Sequence, residues 1–251
     1  MRRGYEAPVD GPIAIEVGVF AQAGSVKVQV REDCTRAVVG LSTTEEEGPS
    51  AAAVRDAAVE SGPAGQLIAT VHGTSTQNAA PVEVTVVAPP GSTLVARADS
   101  AHIGAAGLAD AELTTGSGNV SVPEAGRVFV ESGSGAVTIQ KATDVNATSQ
   151  SGAVSVGAGH RVTARTASGA IVLAATSGEV TVKSVSGGIT VRDFQGGSIR
   201  ADNTSGAITI HATASGDVRA GTISGAITVT AVPGANLNLR TSTTTGQVKA
   251  P

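Results

Sequence analysis

Aromatic residues are almost absent from the sequence, and their scarcity limits both its interior and its ligands. Phenylalanine and tyrosine together make up 2% of the chain, which has no tryptophan. Single-stranded nucleic acids are bound largely by stacking on aromatic rings, and sugar sites usually expose such rings, so both ligand classes are disfavoured. A core without large rings must be filled by small branched side chains, which suits two sheets that lie close together.

Cysteine and long apolar runs are also scarce. The single cysteine, Cys34, cannot form an internal disulfide and offers no cluster of metal ligands. No segment approaches the ~20 apolar residues that a membrane-spanning helix needs. Glu6 and Asp10 interrupt the N-terminal stretch, which therefore does not resemble a secretory signal. As it stands, the sequence predicts a cytoplasmic chain without a membrane span, and export by a signal outside this sequence is the alternative.

Charge is sparse and unevenly distributed. Residues 1–112 contain seven basic and fourteen acidic residues, whereas residues 113–251 contain ten basic and seven acidic ones, so their net charges are −7 and +3. The whole chain has a net charge of −4, and no aromatic residues alternate with the basic ones. This combination argues against nucleic acid as a partner.

The sequence does contain an internal repeat of the form Ser-Gly-x-Ile/Val-Thr-Val, and each copy is followed by a second short run rich in Val and Ile. Both runs alternate apolar and polar residues, which is the period of a half-buried β-strand. Two short strands per repeat leave no room for a crossover helix, so successive copies must stack as parallel strands. The repeat serines, spaced by 17 to 19 residues, are Ser117, Ser134, Ser151, Ser168, Ser186, Ser205 and Ser224.

The repeat therefore predicts an all-β fold in which residues 91–251 form a parallel β-solenoid, with two short strands per turn of about 17–19 residues. Within one copy, Ile208 and Ile210 are predicted to point inward and Thr209 outward. The glycine after each repeat serine is predicted to occupy a sharp corner, because glycine adopts a positive φ without steric cost. The stacked serines are predicted to satisfy turn amides or one another there. These structural turn glycines are Gly118, Gly135, Gly152, Gly169, Gly187, Gly206 and Gly225.

Residues 1–90 have a different pattern and are predicted to form a mainly antiparallel β region that caps the solenoid. A hairpin is expected within residues 13–41. The segment 43–61 is expected to form either a short helix or an ordered loop, because Pro49 precedes a run of alanines. The Pro89-Pro90-Gly91 turn marks the predicted boundary, and the two regions are predicted to make one continuous elongated domain.

The stretch PVEVTVVAPPGSTLVARADS and the tandem Ser-Gly repeats together resemble a bacterial β-strand-repeat family named putative adhesins, a domain family of unknown function. The resemblance covers nearly the whole chain. It implies a non-enzymatic, adhesin-like β-solenoid with a structural or interaction role. It carries over no catalytic, cofactor-binding or metal-binding residues, and no cofactor is expected.

Other functions fit the sequence less well. An intracellular scaffold that assembles with itself head-to-tail is the main alternative. A polysaccharide-active enzyme would need acids that recur at one repeat position, and an ice-binding protein would need a second rank of threonines beside Thr190, Thr209 and Thr228. Neither pattern is present, and the Gly-Gly-x-Gly-x-Asp motif of calcium-binding β-rolls is missing. The four histidines occupy unrelated repeat positions.

Basic residues on the second strand of the later repeats are the strongest candidate for an interaction site. Arg200 and Arg219 are predicted to point outward at one repeat position, and Arg165, Lys183 and Arg240 at a comparable position two residues further along. Such a stripe would bind an anionic surface or the acidic part of another copy. A solvated face that discourages sheet stacking is the other interpretation.

Overall fold

The structure, a computed structural model, describes residues 1–21, 23–62, 65–73 and 79–251. The chain divides into two compact units, Met1–Ser132 and Gly133–Pro251, called unit 1 and unit 2 below. Both are built almost wholly of β-strands. The domain boundary expected near residue 90 stays a prediction, although within unit 1 strands from both sides of that position pair with each other.

Unit 1 contains eleven strands and one short helix among its described residues. They are β1 (Arg2–Pro8), β2 (Ala14–Phe20), β3 (Gly24–Val30), β4 (Arg36–Thr43), α1 (Pro49–Asp56), β5 (Ala58–Gly62), β6 (Gln66–His72), β7 (Val82–Ala88), β8 (Thr93–Ala98), β9 (His102–Ala106), β10 (Leu108–Thr115) and β11 (Val120–Ser132).

Unit 2 contains ten strands. They are β12 (Val137–Ser149), β13 (Val154–Thr166), β14 (Ile171–Ser184), β15 (Ile189–Phe194), β16 (Gly197–Ser205), β17 (Ile208–Ala212), β18 (Gly216–Ser224), β19 (Ile227–Ala231), β20 (Leu237–Thr245) and β21 (Val248–Lys249).

Unit 2 is a parallel β-solenoid, as the repeat predicts. Each turn gives one strand segment to a wall that follows the Ser-Gly corner and one to a second wall; in β12, β13 and β14 a single long strand passes through both. Equivalent residues are in register from turn to turn, for example Ile189, Ile208 and Ile227. These isoleucines are completely buried, whereas Thr209 is exposed. The assignment of inward and outward faces is therefore confirmed.

Unit 1 stacks its turns out of chain order. β2 pairs in parallel with β6 on one side and β8 on the other, and β3 pairs in the same way with β7 and β9. The hairpin expected over residues 13–41 does not form, because β2 and β3 lie in different walls of one turn. Both strands find parallel partners on their two edges, so each backbone amide and carbonyl row is used, which a two-stranded hairpin could not achieve.

Antiparallel strands close one end of the unit 1 stack, as expected for the N-terminal region. β4 pairs antiparallel with β7, β1 pairs antiparallel with β4, and β5 pairs antiparallel with β6. The segment 43–61 contains the helix α1, which begins at Pro49 and packs its small side chains Ala51, Ala53 and Val54 against β4 and β6. Strand edges that a parallel stack would leave open are thereby covered.

The repeat glycines are needed for a reason that differs from the prediction at four corners. Gly118, Gly152, Gly169 and Gly187 have no positive φ, but a Cβ atom on any of them would lie 1.9–2.1 Å from a carbonyl oxygen of the preceding turn. Gly135 supplies the carbonyl that Gly152 approaches. The close approach of stacked backbones excludes any side chain there.

The remaining corners combine close approach with a positive φ. Gly206 and Gly225 have φ values of 143° and 153°, and a Cβ atom would lie 2.7 and 2.2 Å from the carbonyl oxygen below. Their amides donate to the carbonyls of Ser224 and Thr245 in the following turn, both at 2.9 Å. The predicted backbone role of glycine thus applies to these corners.

A polar column two residues before the repeat serines satisfies the amides of the earlier corners. The side-chain oxygens of Ser149, Thr166 and Ser184 each accept a hydrogen bond from the amide of the glycine three residues later, at 2.9 Å. This arrangement is a local turn motif of Ser and Thr. The repeat serines were expected to have this role, but Ser168 and Ser186 are exposed.

Substitution at one corner tests this packing. Gly187→Ala is expected to lower the free energy of unfolding by about 3 kcal/mol, because the new methyl group would overlap the carbonyl oxygen of Gly169, 2.0 Å away, and force the stacked turns apart. Denaturant titration followed by circular dichroism measures the change.

The adjacent residue provides a matched control. At Gly188 the nearest atom to an added Cβ is the carbonyl oxygen of Ala207, 3.8 Å away, and alanine occupies the corresponding position in other repeats, including Ala207 and Ala226. Gly188→Ala should leave stability almost unchanged. Equal losses for the two variants would contradict the close-approach explanation.

Candidate functional site: a basic face on unit 2

The outward side chains of the second wall of unit 2 form columns, because parallel strands in register place equivalent residues above one another. Three neighbouring columns run across this wall. The first, called the acidic column, contains Asp144, Arg161, Glu179, Ser198, Asp217 and Asn238. The second, the arginine column, contains Asn146, Thr163, Thr181, Arg200, Arg219 and Arg240. The third, the mixed column, contains Thr148, Arg165, Lys183, Asp202, Gly221 and Ser242.

All five predicted stripe residues lie on this wall, but their arrangement differs from the prediction at one position. Arg240 is in register with Arg219, which is in register with Arg200, so the three form a continuous run in the arginine column. Arg165 and Lys183 are in register in the mixed column. The loop between β19 and β20 is two residues longer than the loop between β17 and β18, which brings Arg240 into register with Arg219.

Three arginines stacked at the spacing of neighbouring strands, about 4.8 Å, repel one another. Arg200 is partly neutralised by Asp202, whose carboxylate accepts its Nε hydrogen bond at 2.8 Å and raises the pKa of the Arg200 guanidinium. Within the described residues, the guanidinium groups of Arg219 and Arg240 make neither a hydrogen bond nor an ion pair. The column therefore presents two guanidinium groups that are free to bind an anion.

The mixed column continues this positive field. Lys183 Nζ lies 4.0 Å from the Asp202 carboxylate, and Arg165 makes no ion pair with any described residue. Asp202 is the one acid among five basic side chains in the two columns. The five residues Arg165, Lys183, Arg200, Arg219 and Arg240 are called the basic face below.

The other acids of this wall lie in the acidic column, on the far side of the arginine column. Asp144 is paired with Arg161 at 2.6 Å, and Asp217 accepts a hydrogen bond from the Asn238 amide at 2.6 Å. The wall is thus divided into the acidic column, with three acids and one arginine, and a basic strip of five basic residues and one acid. Unit 2 as a whole contains nine basic and five acidic residues, a net charge of +4, whereas unit 1 contains eight basic and sixteen acidic ones, a net charge of −8.

A shallow groove of about 490 Å³ lies where the basic face meets the corner of the solenoid. It is lined by charged side chains of the mixed column and by Asn203, Val185 and Thr204. Asn203 replaces the Ser or Thr of the polar corner column; its amide nitrogen donates to the carbonyl of Gly187 at 2.7 Å, and its buried Oδ1 has no partner among the described residues. In the sequence, Asn203 is recognisable only as a member of that column.

Two exposed aliphatic residues beside this groove were not predicted. Val185 and Ile223 are 54% and 57% exposed, and each follows a residue of the polar corner column directly. The signal in the sequence was the repeat position itself, which holds Gly, Gln, Ala or Thr in the other copies. An apolar residue at a position otherwise small or polar marks a surface feature rather than a core position.

The remaining sequence candidates do not converge on a site. His72 stacks on Phe20 with ring centroids 5.4 Å apart, and the thiol of Cys34 donates to the carbonyl of Arg36 at 2.8 Å. Asp193 is held by hydrogen bonds from the Thr213 hydroxyl and the Gln195 amide, which lower the pKa of its carboxyl. In the part of the chain that the structure describes, no three His, Cys, Asp or Glu side chains are grouped so that they could hold a metal ion.

Membrane crossing by a helix finds no support in the described ranges, where no helix combines the length and the apolar character that a bilayer crossing requires.

Comparison with known proteins agrees with the resemblance drawn from the repeats. The model of the Toastrack DUF4097 family matches residues 80–250. No curated protein matches the sequence.

Among solved structures, a "putative adhesin" from Parabacteroides merdae aligns with 10% identity and a TM-score of 0.46, covering 100% of this chain and 96% of that one. A "putative adhesin" from Parabacteroides distasonis aligns with 9% identity and a TM-score of 0.47, covering 100% and 97%. A "putative lipid binding protein" from the same species aligns with 14% identity and a TM-score of 0.43, covering 100% and 97%. Likeness at this level carries no information about ligands.

Repulsion within the arginine column can be measured. Arg219→Gln removes the central charge of the three, so we expect it to raise the free energy of unfolding slightly, by at most about 0.5 kcal/mol at low salt. The gain should disappear at high salt, which screens exposed charges. Thermal melts at two salt concentrations measure both effects.

Arg161→Gln is the matched control, because Arg161 lies on the same wall but is paired with Asp144 at 2.6 Å. This variant should be neutral or slightly less stable than the parent chain. Destabilisation by Arg219→Gln that equals or exceeds that by Arg161→Gln would mean that a charge partner stabilises Arg219. That result would contradict an uncompensated arginine column.

Proposed function

This chain belongs to the Toastrack DUF4097 family, and we propose that it is a non-enzymatic, adhesin-like interaction protein that binds an anionic partner through the basic face of unit 2. The observation that carries the proposal is the in-register run of Arg200, Arg219 and Arg240, in which the last two have no acidic partner among the described residues. Like charges in neighbouring strands oppose folding. Features that cost stability without serving the fold are typical of functional surfaces.

Protection against unwanted strand pairing explains the arginines less well. Charged residues protect a sheet where a strand edge is open. Arg200 and Arg219 lie on β16 and β18, which are hydrogen-bonded to a strand on each side. The charges of Arg200 and Arg219 therefore do not protect an open edge, whereas Arg240 lies on β20, whose outer edge pairs with no described strand. Alternating acidic and basic residues would keep this wall solvated equally well. A binding role accounts for the single sign of the charge.

The partner that fits best carries anionic groups repeated along a surface or a polymer. A guanidinium group can donate two parallel hydrogen bonds to one carboxylate, phosphate or sulfate group. Successive arginines one strand spacing apart would engage successive anionic groups, so affinity would come from several weak contacts that are sensitive to salt. The basic face contains no aromatic residue for base stacking, which supports an anionic surface over nucleic acid.

Binding to a soluble polyanion tests the proposal. Fluorescently labelled dextran sulfate, titrated with the full chain, should show an increase in anisotropy at low salt that weakens at high salt. The triple variant Arg200→Gln, Arg219→Gln, Arg240→Gln should bind at least about ten-fold more weakly, because it removes three of the five charges of the basic face.

The control is a triple variant with the same change in net charge in unit 1, Lys27→Gln, Arg36→Gln and Arg127→Gln. Each of these residues is already ion-paired, with Glu83, Glu6 and Asp110 respectively. It should bind like the parent chain. A similar loss in the two triple variants would mean that net charge alone governs binding, and absence of binding by the parent chain would refute the proposal.

Head-to-tail self-association is a second candidate, favoured by the outer edge of β20. β20 and β21 pair with β18 and β19 on one side, and no described strand pairs with their other side. Leu237 and Leu239 are only half-buried there, and Val248 is 43% exposed. Such an edge can accept a strand of another copy. Unit 1 of a second copy, with its net charge of −8, would complement unit 2.

Light scattering over a concentration series tests the second candidate. Association should grow with concentration, weaken at high salt and be lost when Leu239→Pro, which cannot donate to a ladder, is introduced into β20. A constant monomer mass, or association unchanged by Leu239→Pro, would exclude it. Cell fractionation then separates the two roles, because an adhesin acts outside the cell and the scaffold acts inside it.

A further inference from the structure

A ridge of side chains borders the basic face where each turn of unit 2 bends into the next Ser-Gly corner. It consists of the residues that directly follow the polar corner column, and we call it the corner ridge. Two of its members, Val185 and Ile223, are more exposed than any other large hydrophobic residue that the structure describes. The members of the corner ridge are Gln150, Ala167, Val185, Thr204, Ile223 and Thr244.

Single exposed aliphatic residues are common on protein surfaces and need no explanation. Val185 and Ile223 differ because they occupy the same repeat position two turns apart, about 10 Å from each other at the spacing of parallel strands. Neither is required by the corner, since Thr204 occupies the intervening turn with the same fold. The fold itself therefore does not account for an apolar residue at these two positions.

The basic face lies immediately beside the ridge. Lys183 precedes Val185 by two residues and Arg219 precedes Ile223 by four, which places these charges about 7 and 13 Å from the ridge along the strand. The mixed column is the nearer of the two basic columns and the arginine column the further one. One continuous surface of unit 2 thus presents both the exposed aliphatic side chains of the ridge and the charged groups of the basic face.

Acidic side chains are kept away from the ridge. Those of the acidic column lie six residues before it, and Asp202, the single nearer acid, is held by Arg200 at 2.8 Å and faces Lys183. On the other side of the ridge the chain continues through the uncharged sequences Ser186-Gly187-Gly188 and Ser224-Gly225-Ala226. An anionic plane could approach the ridge closely without meeting an uncompensated negative charge.

We propose that this surface docks unit 2 onto an anionic lipid bilayer, with the basic face on the lipid headgroups and Val185 and Ile223 entering the boundary between headgroups and acyl chains. The inference rests on the proposed function and names its partner. A soluble polyanion would satisfy the charges but leave both aliphatic residues in water. A bilayer surface satisfies both, because peripheral membrane binding combines electrostatic attraction to anionic lipids with burial of apolar side chains at the interface.

Co-sedimentation with vesicles tests the proposal on the full chain. The protein should sediment with phosphatidylcholine vesicles that contain phosphatidylglycerol and remain in solution with phosphatidylcholine alone. The double variant Val185→Ser, Ile223→Ser should bind the anionic vesicles at least about ten-fold more weakly and keep its affinity for dextran sulfate. Val248→Ser, which changes an exposed valine outside the ridge, should bind vesicles like the parent chain.

Insertion can be observed directly, because the chain has no tryptophan. The fluorescence of Ile223→Trp should shift to shorter wavelength when anionic vesicles are added, and that of Val248→Trp should not. The same emission in the two variants on vesicles, or vesicle binding unaffected by Val185→Ser and Ile223→Ser, would overturn the bilayer assignment.

The outcomes separate this inference from the proposed function. Binding to dextran sulfate without binding to anionic vesicles would overturn the bilayer proposal and leave the anion-binding function intact, with a soluble or polysaccharide polyanion as the partner. Binding to neither probe would overturn both. Vesicle sedimentation that depends on protein concentration and is lost in Leu239→Pro would assign the effect to self-association and also overturn docking through the ridge.

Discussion

Parallel strand pairing holds successive turns of the solenoid about 4.8 Å apart, and most features of this chain follow from that distance. At the corners, the backbone of one turn approaches the carbonyl oxygens of the turn before so closely that a hydrogen atom fits and a methyl group does not. Glycine at each corner is a steric requirement of stacking. Valine, isoleucine and alanine fill most of the space between the two walls, with Phe194 as the one fully buried aromatic side chain among the described residues.

The same spacing aligns equivalent outward side chains in columns. A residue type that recurs at one position of the repeat therefore forms a continuous line on the surface. An arginine at one repeat position in three consecutive turns produces a line of positive charge without any special loop. A solenoid of this kind can therefore form an extended interaction surface from minor changes in its repeat. The corner ridge arises in the same way, from an exposed position that recurs just before each Ser-Gly corner.

Most of the fold could be predicted from the sequence, because the repeat shows both the length of a turn and which side chains point inward. Ile208, Thr209 and Ile210 alternate as a half-buried strand must, and register between turns follows once their period is known. The stacking order of unit 1 could not be predicted, because the residue pattern of β2 fits a hairpin strand and a solenoid strand equally well. Only the long-range pairing of Ile15 with Leu67 and Leu94 distinguishes them.

The sequence predicted the five residues of the basic face, but it did not predict how they are arranged in columns. The basic residues could be found by their repeat positions, but placing Arg240 required knowledge of how the longer loop between β19 and β20 is accommodated. Val185 and Ile223 were overlooked because a valine or isoleucine in a β-rich sequence is normally a core residue. Their exposure depends on the direction in which the corner turns, which a local pattern of polar and apolar residues does not encode.

The interleaved turn of β2 and β3 has a consequence for how the chain is made. In unit 2 each strand pairs with one from the preceding turn, as Ile227 does with Ile208, so turns can be added in the order of synthesis. β2 and β3 leave the ribosome early, yet neither edge of this turn is occupied until residues 66–72 and 82–106 have followed. Unit 1 must therefore assemble by long-range closure, a slow class of folding step.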